Sequence, residues 1–301
     1  VYTAETPVHP MELYCCSHDG SGERRLSDLN PWWRERPQAT YQRHAFEVPD
    51  GQGGSERVDG WLIRPEGAQG ATPLLLDVHG GPASFALFAY GPSAYWAMLW
   101  SQGWSILALN PVGSSSYGRQ FSERLRGHWG ELDLPQQLAA VQSLQHAGLA
   151  SQKLAIAGKS YGGFMACWAV GHTHVFQAAV PMAALSQLDS HWGSSDSGYY
   201  TDHYAMQGEG EAAHERMRAH SPVEYLRSTT TPTLLLHGHE DERCPRSQAE
   251  AAFVALRRGG NPASELVLYP GEGHRFTSQG LPGHRVDVMQ RVVDWITRWT
   301  S

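Results

Sequence analysis

No run of apolar residues approaches the ~20 that a bilayer-spanning helix needs, so a spanning helix is excluded. No N-terminal stretch has the basic, apolar and small-residue segments of a signal peptide. The chain opens on Val1 instead of methionine, and its natural start is expected upstream. Cysteine is scarce: Cys15, Cys16, Cys167 and Cys244 are the 4 among 301 residues. That excludes a disulfide framework, and reduced thiols in a cytoplasmic protein are expected. Positive charge is short as well. A net charge of −7 excludes the basic footprint of a nucleic-acid binder. Internal repeats and low-complexity tracts are missing too, which excludes solenoids and disordered linkers. What is present is apolar: 41% hydrophobic against 18% charged residues, enough for a sizeable core.

The chain reads as alternating strands and helices. Residues 11–29 form a strand, an Asp19-Gly20 turn and a second strand. A lone hairpin is marginal in water, so residues 1–35 are expected to be the last strands and linker of an upstream domain. Residues 41–48 and 57–64 form a second hairpin across a glycine-rich turn. The continuous apolar run 73–78 predicts a strand buried on both faces. A helix is expected over 92–102, strands over 104–109, 153–157, 176–182, 233–237 and 265–269, and helices over 133–147 and after 164. Ser247 and Glu250 have capping-box spacing before a helix with Ala249, Phe253 and Leu256 inward. Val286, Met289, Val293 and Ile296 mark the buried stripe of the last helix. Residues 184–230 read as an irregular lid or pocket wall. This alternation predicts, over residues 36–301, an α/β domain: a mainly parallel sheet with helices on both faces and reactive loops at the strands' carboxyl ends.

Four such loops carry reactive residues. Gly158-Lys159-Ser160-Tyr161-Gly162, between a strand and a helix, matches the nucleophile elbow, in which a strained turn presents a serine above the sheet. A serine hydroxyl needs a base, and the base needs a carboxylate to fix its tautomer. The loop after strand 233–237 offers Glu240, Asp241 and Glu242; its Asp-x-Arg-x-Pro arrangement selects Asp241 and leaves the glutamates as solvated charges. After strand 265–269, His274 stands at a glycine-rich strand end, following the acid. Serine, aspartate and histidine in this order are the order of the α/β-hydrolase fold. An oxyanion needs two backbone donors; the N–H of Tyr161 is one, and Gly81 in His79-Gly80-Gly81-Pro82 is the expected other. His237 and His239 flank a glycine, but no third ligand accompanies them, so no metal is assigned.

Together these loops resemble the prolyl oligopeptidase family of serine peptidases, most closely its acylaminoacyl-peptidase branch. The resemblance rests on His79–Pro82, Asn110-Pro-x-Gly-Ser114 with Tyr117-Gly-Arg, Trp129-Gly130, Gly158–Phe164, Ser195-Asp196 with Tyr200-Thr-Asp202, His237–Pro245 and Tyr269–His274. It implies an eight-stranded α/β-hydrolase domain with Ser160, Asp241 and His274 as the triad and no cofactor or metal. It further implies an upstream seven-bladed β-propeller that screens peptide substrates by size, residues 1–29 being its last strands, and frequent self-assembly. Arg243 falls where relatives place an arginine that binds the substrate main chain, the alternative being a structural ion pair. Trp192, Tyr199 and Tyr200 are candidates for the wall of an apolar pocket. The sequence departs from the family pattern at Val112, where relatives carry arginine, and around Pro135. A serine peptidase acting on short peptides is therefore expected; the alternatives are a carboxylesterase on the same fold and a domain kept only for binding.

Overall fold

The computed structural model describes residues 1–86, 88–90, 94–115, 117–208, 210–261 and 263–300. Two sheets are present among the described residues. The first joins β1 (Tyr2–Thr6), β2 (His9–Cys15) and β3 (Arg24–Arg25), all antiparallel. The predicted hairpin is β2–β3, and β1 adds a strand that the sequence pattern did not single out. Glu12 turns inward from β2. Burial alone would raise its carboxyl, but the N–H groups of Leu29 and Asn30 and the Ser27 hydroxyl hold it down to about 2. It thereby straps the sheet to the linker. Further along that linker, Trp33 packs edge-on against Tyr90 and Trp100, with ring centroids 5.2 and 6.0 Å apart.

The second sheet is the expected eight-stranded one. It holds β4 (Ala39–Pro49), β5 (Ser55–Pro65), β6 (Thr72–Val78), β7 (Ser105–Leu109), β8 (Ala150–Lys159), β9 (Ala178–Met182), β10 (Thr233–Gly238) and β11 (Ser264–Tyr269). Their order is β11-β10-β9-β8-β6-β7-β5-β4. Strands β6 to β11 pair in parallel, while β5 runs antiparallel to both β4 and β7. Successive side chains point to opposite faces, so Leu74 and Leu76 enter one core and Leu75 the other. Helices Asp133–His146, Tyr161–His172 and Ser247–Arg258 cover the first face; Tyr95–Trp100 and Pro282–Trp299 cover the second. Because six strands are parallel, the loops after β6, β8, β10 and β11 emerge at one edge. That edge carries Gly81, Ser160, Asp241 and His274.

Several expectations change. The helix expected over 92–102 spans Tyr95–Trp100, and residues 92–93 lie outside the described residues. Residues 184–230 contain helices Leu188–Ser194, Gly198–Ala205 and Glu211–Ala219. These are short and polar, so no apolar stripe announces them. The capping box is not formed: Ser247 is already helical, and no side chain caps that helix. Val286 is exposed, and the last helix buries Val288 and Val292 beside Met289, Val293 and Ile296.

Candidate active site

Three glycines let the elbow close. A Cβ on Gly162 would lie 2.0 Å from the Val78 carbonyl oxygen, and one on Gly158 2.6 Å from the same atom. On Gly163 it would meet the Met182 carbonyl at 2.6 Å. Strand and helix can approach only without side chains at these points. Ser160 itself adopts φ 62° and ψ −120°, a strained conformation, held by its N–H donating to the Met182 carbonyl at 2.9 Å.

Asp241 is buried, whereas Glu240 and Glu242 are exposed. Its Oδ1 accepts the N–H groups of Arg243 at 3.0 Å and Cys244 at 2.9 Å. Its Oδ2 lies 2.9 Å from His274 Nδ1. A carboxylate on Nδ1 leaves Nε2 as the free base position. Behind the pair, His237 Nε2 donates to the Cys244 carbonyl at 2.7 Å and stands 3.5 Å from Asp241 Oδ2. Burial pushes the His237 pKa down and keeps the ring neutral. Its place at the end of β10, four residues before the acid, was the signal for a supporting role.

Ser160 and His274 line one cavity of about 730 Å³ together with Gly81, Tyr200 and Arg243. Among the described residues no hydrogen bond joins the Ser160 hydroxyl to His274; contacts of this kind often tighten only when substrate is bound. The thiol of Cys244, pushed well up by burial, lies beside Ser160. The N–H of Tyr161 opens the helix and has no carbonyl four residues back. The Tyr161 hydroxyl donates to buried Asp133 at 2.6 Å. Gly81 has φ 126°, and a Cβ there would sit 2.8 Å from the Ala83 nitrogen. Its loop is strapped down by His79 Nε2 on the Ser114 hydroxyl at 3.0 Å and by the Ala86 N–H on Asn110 at 2.7 Å.

The model of the prolyl oligopeptidase family matches residues 92–301. The chain belongs to the prolyl oligopeptidase family. It is 33% identical over 296 residues to the uncharacterized peptidase YuxL of Bacillus subtilis, covering 96% of this chain and 44% of that protein. It is 27% identical over 239 residues to dipeptidyl-peptidase 5 of Porphyromonas gingivalis, covering 75% and 33%. The structure of the Pyrococcus horikoshii acylaminoacyl peptidase superposes with a TM-score of 0.88 at 26% identity, covering 99% of this chain and 48% of that one. The chain thus spans less than half the length of these relatives.

Within this prolyl oligopeptidase framework, the lid corrects part of the expected pocket wall. Tyr200 lines the cavity, but Trp192 and Tyr199 do not. Trp192 stacks on His203 and meets His214 edge-on. Tyr199 and Tyr200 are both exposed, but neighbours on a helix face different directions, and only Tyr200 borders the cavity. Leu125, Trp129 and Leu185 supply apolar wall instead. Arg243 forms a bidentate pair with Asp196, at 2.6 and 3.1 Å, on the rim of the same cavity. His191, which the sequence reading passed over, also lines it, beside Asp202 of the Tyr200-Thr-Asp202 motif. His191 Nδ1 is 2.7 Å from Asp202 Oδ2, and its Nε2 is 2.8 Å from the Arg243 carbonyl. At Val112 the expected arginine is replaced by a buried valine, whose N–H donates to Gln136 Oε1 at 2.7 Å. Gln136 in turn binds Glu56, which pairs with Arg124.

Proposed function

We propose that this chain provides the catalytic machinery of a serine peptidase acting on short peptides. The Asp241–His274 hydrogen bond, opening on the cavity that holds the elbow serine, carries this reading. Ser160 Oγ attacks the scissile carbonyl while His274 Nε2 takes its proton. Asp241 holds the ring by Nδ1–H and stabilises the imidazolium. The N–H groups of Gly81 and Tyr161 receive the oxyanion. As the C–N bond breaks, His274 returns the proton to the leaving amine, and the acyl group stays on Ser160. Water, deprotonated by the same imidazole, then releases the acid and restores the hydroxyl. Arg243, held on Asp196, serves as a main-chain contact at the rim, and Tyr200 as part of the pocket wall.

Relatives named as acylaminoacyl peptidase and dipeptidyl-peptidase support short peptides as the substrate class. The small three-stranded sheet, with relatives about twice as long, supports residues 1–35 being the end of a propeller domain that frames those peptides. Unpaired thiols at Cys15, Cys16, Cys167 and Cys244 favour a cytoplasmic setting.

The test is labelling by a fluorophosphonate probe, followed by hydrolysis of a peptide anilide and a matched ester. Wild type should be labelled and should cleave the anilide. Ser160→Ala should lose labelling while keeping its thermal unfolding midpoint. Labelling retained by Ser160→Ala would overturn the assignment, and cleavage of the ester alone would replace peptidase by esterase.

A further inference from the structure

We propose that His191 and Asp202 form a second aspartate–histidine pair that performs no chemistry but sets the hydrogen-bond cradle around Asp241, making both of them positioning residues for His274. This rests on the roles of Ser160, Asp241 and His274 proposed above.

The two side chains are only 4% and 3% exposed, and both residues line the cavity wall. His191 lies on the helix Leu188–Ser194 and Asp202 on the helix Gly198–Ala205. The imidazole faces a carboxylate at 2.7 Å through Nδ1 and a carbonyl at 2.8 Å through Nε2. A carbonyl can only accept, so Nε2 carries a proton and donates to the Arg243 carbonyl, while Asp202 fixes the ring through Nδ1. An apolar pair of similar volume would join these helices without the cost of burying polar groups. It would not supply a donor aimed at the Arg243 carbonyl.

That carbonyl is the junction. It also accepts the Ser195 hydroxyl at 2.7 Å. It shares a peptide unit with the Cys244 N–H, which donates to Asp241 Oδ1 at 2.9 Å. Donation to the oxygen of a peptide draws electron density from its nitrogen and makes the N–H a stronger donor. A continuous path thus runs from Asp202 through His191 and the Arg243–Cys244 peptide to Asp241, and from there to His274. The lid grips the same segment twice more. The Asp196 N–H donates to the Glu242 carbonyl at 2.9 Å, and the Asp196 carboxylate holds the Arg243 guanidinium. The charged and titratable groups around Asp241 are His274, His237, Lys159 and the Cys244 thiol; those around His274 are Asp241, His237 and Asp196; His191 faces Asp202.

The experiment measures kcat and KM against pH for a peptide anilide, using the full-length protein as wild type, His191→Leu, His191→Gln and Ser195→Ala. A weakened cradle leaves more charge on Asp241, which then grips the His274 proton harder. The acid limb of kcat/KM should therefore move to higher pH in His191→Leu, with kcat falling on the order of ten-fold and KM little changed. His191→Gln keeps an amide donor toward the carbonyl and should recover most of the loss. Ser195→Ala, a change at a less buried residue, should move the limb the same way by less. If His191→Leu does not fold, His191→Gln and Ser195→Ala decide. An unmoved limb in Ser195→Ala, or a His191→Gln enzyme whose kcat falls on the order of ten-fold below wild type, would overturn the positioning role. A wild type that takes no fluorophosphonate and cleaves no anilide would instead remove the reading of Ser160 on which it rests.

Discussion

Asp77 and Asp133 are carboxyls that the fold withdraws from water. Burial raises each to about 6, against hydrogen bonds from Tyr95 and Trp96 to the first and from Tyr161 to the second. A folded-state value above the unfolded one means that the native state binds the proton more tightly. The stability this contributes is complete below the ordinary carboxylate value and is lost as pH rises through about 6. Asp77→Asn retains an oxygen for Tyr95 and Trp96 but cannot ionise. Between about pH 4 and pH 6 its unfolding midpoint should rise relative to wild type, and parallel curves would contradict this. Asp241 is buried too, but one of its oxygens is turned to His274. Asp241→Asn should lower kcat by on the order of 10⁴, because the amide favours the wrong tautomer of His274, while leaving probe binding and fold in place. Neither buried Asp77 nor Asp133 stood out in the sequence. A single acid inside an apolar run or at a helix start looks the same whether or not its neighbours bury it.

At the scale of elements, legibility followed how local the cause was. The elbow was readable because its signal is local: a strand, a serine turn and a helix are consecutive, with glycine where neighbouring strands leave no room for a side chain. Gly162→Ala should therefore cost about 3 kcal/mol or more, since the added methyl group meets the backbone of β6. Gly283→Ala, at a helical site with open space around the would-be Cβ, should be neutral or stabilising. Comparing denaturation midpoints of the two variants separates a steric demand from a general intolerance of alanine. The parallel strands were likewise readable from apolar runs. The lid helices were not, because helices of seven to nine residues with polar faces gain their stability from tertiary packing. For the same reason Trp192 and Tyr199, chosen as aromatic residues of the irregular segment, proved to face elsewhere.

The whole molecule is a sheet sealed on both faces, and one of its seals comes from the N-terminal linker. Trp33 is buried among Tyr90, Trp100 and neighbouring residues of the second core. Trp33→Ala should destabilise the whole domain by about 3–5 kcal/mol, seen as a single shifted transition in chemical denaturation. A loss confined to residues 1–30, with the main transition unmoved, would show that the linker only rests on the sheet. The sequence by itself determined the alternation of strands and helices, the glycine-lined serine turn, and the chain order of Ser160, Asp241 and His274. Each of these is written in runs of neighbouring residues, where strand period and backbone strain act. Tertiary structure alone decided which side chains face the cavity, which donors cradle the Asp241 that the sequence had selected, and that His191 reaches a carbonyl 52 positions along the chain. Those outcomes depend on contacts between distant segments, and such contacts exist only once the two cores have closed around the sheet.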